Sequence, residues 1–574
     1  MKKTLVRILV LVLACVMMMS IFAGCVSEDG GRTRPENVRN PYESPITTDP
    51  ITITVMTQRH AGTTNNAEDL WFFKYMEYWY AQYGYDVTIN VTQAGDPTEQ
   101  TLLLLGSDSL PDIMWGMSLT EATAIKFGVD DNLILDFEPY LTEEVMPNMS
   151  KLFKDDPAML AASTAPNGAV LTLPYVAPAM AHSSPHNVQD GSGLFVRKSW
   201  LDACGLDMPK TEKEFFDMLR AFKRLKGANS VPLADTDMML EYYLWTCLGY
   251  YGGMSKYGFA PSIKDGQVVL PVMTEDYRSY IKFMNTLFTE GLIDSRYFST
   301  LNSSSVQAMA ASGKVGVFGD WTLGAVGKDY KDYVALAPIP MGGNDDCYLT
   351  RLSWYTPGRV WASSKTEYPE VIAMMIDFVY SEEGAFLYRY GPKQGEDPLG
   401  LLDGWFYDAN GDITYADVVN GKYANIQDYQ RQMIYPHDNA GVRPVVVTSG
   451  SGEIITYKDA VTGEDISATV TLDLNIDSAD NYWHKTSSET WRPYATSVKL
   501  GSVWLDEDAN VEITDLKAVL NNYITSESAK FITGRRPMSE IDEFWDELKQ
   551  MDIERYLEIY KEAYAPYMES VFGK

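Results

Sequence analysis

Between residues 50 and 115 the chain alternates between two periodicities, and that alternation constrains the fold more than any other feature. Ile51, Ile53 and Val55 alternate with Thr52, Thr54 and Met56, the period of two of a strand. Residues 67–83 carry Leu70, Trp71, Phe73, Met76, Trp79 and Tyr80 and hold no Gly or Pro, which predicts a helix. Val87, Ile89 and Val91 restore the period of two. Residues 98–105 read as helix and stop at Gly106, and Asp112 to Trp115 is a short apolar strand. The order βαβαβ predicts an α/β fold with a parallel, doubly wound sheet and right-handed crossovers. Ligands of open α/β sheets bind beyond the carboxyl ends of the strands. Here those ends are Gln58-Arg59-His60, Gln93-Ala94-Gly95-Asp96 and Trp115-Gly116. They offer polar groups and one aromatic, not a phosphate cradle.

Further along, Leu171 to Tyr175 reads as a strand leaving this lobe, and Leu194 to Val196 as another. Thr211-Glu212-Lys213-Glu214 is a capping box ahead of Phe215, Met218, Leu219 and Phe222 at helical spacing. Asp265-Gly266 and Asn410-Gly411 are hairpin turns. Residues 314–319 form a short strand with Asp320-Trp321 at its end, and Pro369 opens a helix. Two aromatic-rich helices close the chain. At about 100–200 residues per domain, 574 residues fit two or more domains or one large bilobal unit.

The first 24 residues are not part of that unit. Lys2, Lys3 and Arg7 precede an apolar run from Ile8 to Met19, which reads as an export signal. The run is short for a spanning helix of about 20 residues. Phe22-Ala23-Gly24-Cys25 looks like a bacterial lipobox, in which Cys25 becomes the first residue and is acylated. Residues 25–49 are polar with Gly and Pro and are expected to be a flexible tether. The full chain has 47 Lys+Arg against 78 Asp+Glu, a formal charge of −31. Losing the signal removes three positive charges and no negative one, which makes it −34. That balance argues against nucleic acid as a partner and against unassisted binding to an anionic membrane. If Cys25 carries lipid, Cys204, Cys247 and Cys347 remain, an odd set that reads as buried hydrophobes with at most one disulfide.

Ser109 to Ile113, Gly193 to Leu201 with Gly205-Leu206 and Pro209-Lys210-Thr211, Leu287 to Asp294, Ser381 to Gly384, and Phe531 to Pro537 form an ordered set of segments. Together they resemble the extracellular solute-binding protein family 1, the lipoproteins that serve sugar importers of the ABC class. The last segment resembles the larger branch of the family, often linked to oligosaccharide uptake. The resemblance spans residues 50–570. It implies a periplasmic-binding-protein-like fold, with two doubly wound α/β lobes joined by a hinge, and a monomer that delivers a carbohydrate to ABC permease subunits. It implies no catalysis and no cofactor. The loop where relatives often hold calcium reads Lys226-Gly227-Ala228-Asn229-Ser230-Val231-Pro232 here and lacks carboxylates, so calcium is not carried over. The expected division places residues 50–173 and about 305–360 in lobe 1, and residues 174–304 and about 361–500 in lobe 2. Residues 501–574 are expected as helices packed on both.

Sugar sites pair flat aromatic faces with a few charged or amide side chains. Most of the 13 Trp and 37 Tyr must be core. Position singles out Trp115 and Trp321 after predicted strands, and Arg351, Trp354 and Tyr355 in one polar loop. Tyr242 and Trp245 lie together at helical spacing, where core is the competing reading. Gln58, Arg59, His60 and Asp320 complete the expected ligand set, with solvated surface as the plain alternative for the charged ones. Arg351 could pair an acidic sugar. For metals, His182 and His186 are separated by Pro185, and Asp408, Asn410 and Asp412 lack the Gly and Glu of a calcium loop, so no metal site is expected. Hydrolase, dinucleotide, P-loop and zincin motifs are absent. The rival classes are a secreted lipoprotein glycosidase, which needs two cleft carboxylates, and a receptor for peptide or another solute on the same scaffold.

Overall fold

The structure is a computed structural model. It describes residues 37–573 apart from 61–62, 178–192, 228–229, 236–237, 254, 298–302, 321–322, 351–354, 410–412, 424–425, 445–453, 470–478 and 502. The strands of its two main sheets, in chain order, are β1 (Ile51–Thr57), β2 (Val87–Gln93), β3 (Ile113–Trp115), β4 (Leu173–Val176) and β5 (Leu194–Arg197). Then come β6 (Val231–Asp235), β7 (Val315–Gly319), β8 (Tyr333–Ala335) and β9 (Tyr355–Ala362).

The first sheet has the order β2-β1-β3-β9-β4. β1 pairs in parallel with β2 (Ile51 opposite Val87) and with β3 (Thr57 opposite Trp115). β9 is antiparallel to both β3 and β4. The alternation of β1 puts Ile51, Ile53 and Val55 inside, and Asp112 ties the neighbouring strands together by accepting from Thr54 N at 2.8 Å and Thr54 Oγ1 at 2.6 Å. The helix Trp71–Gln82 buries Trp71, Phe72, Phe73, Tyr75, Met76 and Tyr80 against this sheet. Each such large side chain contributes about 1.5–3 kcal/mol when fully buried. The helix Pro97–Gly106 starts where Asp96 accepts from Glu99 N at 2.9 Å, with Pro97 in its first turn.

The second sheet has the order β8-β5-β7-β6, with β7 antiparallel to β5 and parallel to β6. The capping box forms ahead of the helix Glu212–Lys226: Thr211 Oγ1 accepts from Glu214 N at 3.2 Å, and Glu214 Oε2 accepts from Lys210 N at 2.8 Å. Arg197, in the segment that resembles the family, ion-pairs with Asp329 and Asp332 at 2.8 Å each, and Trp200 is buried edge-on to Phe222. The hairpin expected at Asp265-Gly266 forms, Ser262–Lys264 with Gln267–Val269, and Trp405–Tyr407 pairs antiparallel with Ile413–Tyr415 on either side of Asn410-Gly411, which lie outside the described residues.

The division into lobes differs from the expected one. β7, expected in the first lobe, is built into the second sheet, where Gly319 lies opposite Leu194 and Asp235. Conversely, the helices Pro369–Phe378, Glu382–Tyr390 and Ile426–Met433, expected in the second lobe, contribute Ile372, Met375, Tyr388 and Tyr429 to the first core. The reason is strand pairing: β9 returns to β3 and β4, and the three helices C-terminal to it stay on that side. The C-terminal helices Glu507–Ile532, Ile541–Gln550 and Ile553–Phe572 belong to the second lobe's core through Leu520, Ile524, Phe531, Phe544 and Tyr556. The described part of the expected tether is packed rather than free. Residues 37–49 pack on the first lobe: Tyr42 sits edge-on to Trp79 and Tyr83, Tyr85 Oη donates to Pro41 O at 2.9 Å, and Arg39 N donates to Glu370 at 3.2 Å. Cys204, Cys247 and Cys347 are unpaired thiols, and the last two are buried. Cys25 lies outside the described residues. Among those described, no helix is long and apolar enough to cross a membrane.

Candidate functional site

The chain passes between the lobes three times: after Ala177, before Tyr355, and after Pro444. Each passage leaves or enters the first sheet at the edge where β1 and β3 end, because β9 begins there and Val442 bridges Val176 at the end of β4. Side chains from β1, from the β3 end, from β9 and from residues 434–443 therefore meet at one edge, facing the second lobe.

Gln58 and Arg59 come directly after β1. Gln58 Nε2 donates to Gly116 O at 2.6 Å, which fixes the two strand ends together. Arg59 Nη1 donates to Tyr435 O at 3.4 Å, and its Nε and Nη2 are buried without a hydrogen-bond partner. Burial lowers its pKa. His60 stacks on His437 with centroids 4.1 Å apart and planes 7° apart, and its Nε2 lies 3.1 Å from Asp438 Oδ2.

Asp438 is the hub. Its carboxylate accepts from Arg389 Nη1, from Arg431 Nη2 at 2.5 Å and from Tyr435 Oη. Burial alone would raise its pKa, but the His60 hydrogen bond and the charges of Arg389, His60 and Arg431 hold it far below the usual carboxylate range. Burial, together with the neighbouring His60, drives His437 down to about 3, so it is neutral at physiological pH. Beneath the hub, Tyr388 Oη donates to His437 O at 2.7 Å and accepts from Trp115 Nε1 at 3.0 Å. Arg359, from β9, donates to Ser118 Oγ; its Nε is buried and unpartnered, and burial lowers its pKa.

The expected ligand residues separate into groups. Gln58, Arg59 and His60 meet at this edge. Tyr355 begins β9, half-buried, with Lys499 Nζ of the second lobe 5.7 Å from its ring centre. Trp115 is fully buried among Phe72, Phe73 and Tyr388, so its indole supports the edge from the core rather than facing it. Trp245 is likewise core: it stacks on Tyr280 at 4.5 Å and donates to Ser255 O at 3.2 Å. The helix Met239–Cys247 turns that face inward and leaves Tyr242 half-buried. Asp320, at the end of β7, is buried and accepts from Gln307 Nε2 at 3.0 Å. Trp321, Arg351 and Trp354 lie outside the described residues, as do His182, His186, Asn410 and Asp412. Sequence reasoning misses Arg359, Arg389, Arg431, Tyr435, His437 and Asp438. The compact run Tyr435-Pro436-His437-Asp438-Asn439 directly after a helical stretch is the available signal. Among the described residues no group of three or more His, Cys, Asp or Glu is arranged to hold a metal.

Two α/β lobes with three crossings, and a polar edge where the crossings meet, define a two-lobed periplasmic-binding-protein-like receptor. The family model "Bacterial extracellular solute-binding protein" matches residues 67–386, and the chain belongs to that family. The fructooligosaccharide ABC transporter substrate-binding protein FusA of Streptococcus pneumoniae is 22% identical over 481 residues, 82% of this chain and 83% of FusA. Lipoprotein LipO of Bacillus subtilis is 29% identical over 137 residues, 22% of this chain and 26% of LipO. The structure of the S. pneumoniae protein in complex with kestose superposes with a TM-score of 0.69 at 19% identity, covering 91% of this chain and 100% of that one. An HMO-binding solute-binding protein of Bifidobacterium longum infantis gives 0.68 at 19% identity, covering 90% and 99%. At these identities the structural likeness establishes the fold.

Proposed function

We propose that this chain is the lipid-anchored, monomeric substrate-binding subunit of a bacterial ABC importer, and that it captures an oligosaccharide between its lobes. The observation that carries this reading is the convergence of three lobe crossings on an edge rich in amide, guanidinium, imidazole and phenol groups, in a chain similar to FusA over most of its length. Closing on the ligand is a hinge motion, and the closed form is the one the permease recognises. Gln58, Arg59, His60 and Tyr355 are the proposed contacts from the first lobe, joined by Trp321, Arg351 and Trp354. Binding requires no covalent step, so the chain is not an enzyme.

Calorimetry with a panel of oligosaccharides tests this. Saturable binding with no product is the expected result. Sugar turnover that vanishes on changing one cleft carboxylate would establish the glycosidase instead, and binding of peptides alone would establish the other receptor. Cys25→Ala should abolish incorporation of labelled fatty acid and release the protein from the membrane. Trp321→Ala should weaken binding without lowering the melting temperature.

A further inference from the structure

Five guanidinium groups gather at the ligand edge of a chain whose formal charge is −31. Arg59 comes after β1, Arg359 lies in β9, Arg389 and Arg431 come from two helices, and Arg443 hydrogen-bonds Tyr175 at the end of β4. Among the described residues, Asp438 is the carboxylate in ion-pair contact with this group, and it is shared by Arg389 and Arg431. Among those residues, Arg59, Arg359 and Arg443 have no carboxylate against them. Elsewhere the same chain pairs its partly buried arginines: Arg197 with Asp329 and Asp332, Arg220 with Glu290, and Arg536 with Glu527 and Glu547. Arg492, whose Nε is also buried and unpartnered, is a single case elsewhere, whereas at this edge Arg59 and Arg359 share that state side by side with Arg443. A partly buried guanidinium without an anion is costly, and the cost is relieved when an anion arrives.

The free atoms also have the right geometry. On Arg59 the unpartnered pair is Nε and Nη2, the side-on edge that presents two parallel N–H bonds to a carboxylate, while Nη1 is held by Tyr435 O. On Arg359 Nε is free in the same way. These atoms are covered in the arrangement seen, so binding through them requires this edge to open, a change that a hinged receptor can make on loading. A neutral sugar could accept the same N–H bonds through hydroxyls but would leave the charge uncompensated.

We propose that Arg59 and Arg359 anchor a carboxylate of the bound glycan, so that the ligand is an acidic, uronate-bearing oligosaccharide. This rests on the carbohydrate-receptor reading above and narrows it to one substrate class. The positive edge also supplies the local field that a strongly acidic protein needs to admit an anion.

The test is calorimetry of the full chain with uronate trimers and tetramers (galacturonate, glucuronate, mannuronate and guluronate), each beside the same oligosaccharide with its carboxyls reduced to alcohols. The expected result is one acid form bound at least tenfold tighter than its reduced counterpart, as a charge-assisted pair provides. That ratio should fall towards one in both Arg59→Gln and Arg359→Gln. Melting curves identify a variant that fails to fold, in which case Arg59→Lys or Arg359→Lys, which keeps the charge but loses the side-on pair of N–H donors, takes its place. Reduced or neutral oligosaccharides that bind as well as the acids would overturn the inference and leave the receptor reading standing. An acid-to-reduced ratio unchanged in the folded variants would also overturn it. If no oligosaccharide of either kind binds, both readings fall.

Discussion

Asp438→Asn removes one negative charge and almost no volume, and the structure says where the damage falls. Asp438 and Arg389 have side chains only 18% and 10% exposed, so this is a buried pair rather than a surface one. Truncating one partner of such a pair leaves an uncompensated charge and costs about 3–5 kcal/mol. Asn keeps an acceptor for Tyr435 but cannot neutralise Arg389 and Arg431 together. For a unit of 150–250 residues each kcal/mol moves the midpoint by about 2–4 °C, so the first lobe should melt about 6–20 °C lower. Asp108→Asn is the control: its pair with Lys365 is more than half exposed on both sides and should contribute about 1 kcal/mol or less. The pH dependence adds a second check. The folded pKa of Asp438 is depressed, so its stabilisation is fully present above the ordinary carboxylate value of about 4 and is lost progressively as pH falls from there towards the folded value. The gap between wild type and Asp438→Asn should therefore be constant from pH 7 to 5 and narrow below about pH 4. Calorimetric melting across this range measures both. A midpoint within about 2 °C of wild type at pH 7, or a gap that widens in acid, would refute the hub.

His437 is buried neutral with its pKa near 3, so the folded chain resists protonation there while the unfolded chain accepts it near 6.5; stability should fall as pH drops from about 6.5, and His437→Gln should flatten that slope in urea melts at stepped pH. Trp245→Ala should cost about 3–5 kcal/mol in denaturant titrations, the range for emptying an aromatic core site; an unchanged midpoint with weakened sugar binding would instead put the ring in the cleft. Gly316→Ala should destabilise by about 1–3 kcal/mol by the same measurement, because its Cβ would fall 2.6 Å from Phe222 Cδ2 and 2.8 Å from the Trp200 ring.

The sheet that frames the site is legible in the sequence because its information is local. Ile51, Ile53 and Val55 announce a strand by alternation, Gly106 ends a helix, and the βαβαβ order then leaves one parallel sheet with a defined binding edge. Gln58, Arg59 and His60 emerge from that edge alone. The lobe boundaries are not legible, because a short apolar strand carries no label for its partner. Residues 314–319 read as a strand that names no sheet, and 355–362, with Pro357, Gly358 and Arg359, does not read as a strand at all, yet β7 pairs with β5 and β6 while β9 pairs with β3 and β4. Placing β9 at the end of a lobe instead of in the middle of a sheet sends His437 and Asp438 to the wrong lobe, and their meeting with His60 is then out of reach. The aromatic residues mislead for another reason. Trp115 and Trp245 satisfy their indole N–H on Tyr388 and on Ser255 O, inside the protein, and sequence position does not distinguish such a partner from a ligand.

The net charge and the binding edge carry opposite signs, and that opposition has a mechanical consequence. A surplus of carboxylates spread over the surface is screened beyond about 10 Å at ordinary ionic strength, so it governs solubility more than recognition. Partly buried groups are screened less, and at the edge the balance is reversed by Arg59 and Arg359. Lobe closure brings low-dielectric protein over those charges, which strengthens attraction for an anion already in place and raises the cost of closing on an empty cleft. On the proposal that Arg59 and Arg359 select the ligand, the same unpaired guanidiniums bias the hinge towards the open form until the ligand arrives. A permease that recognised only the closed form, as proposed, would thereby be spared an empty receptor.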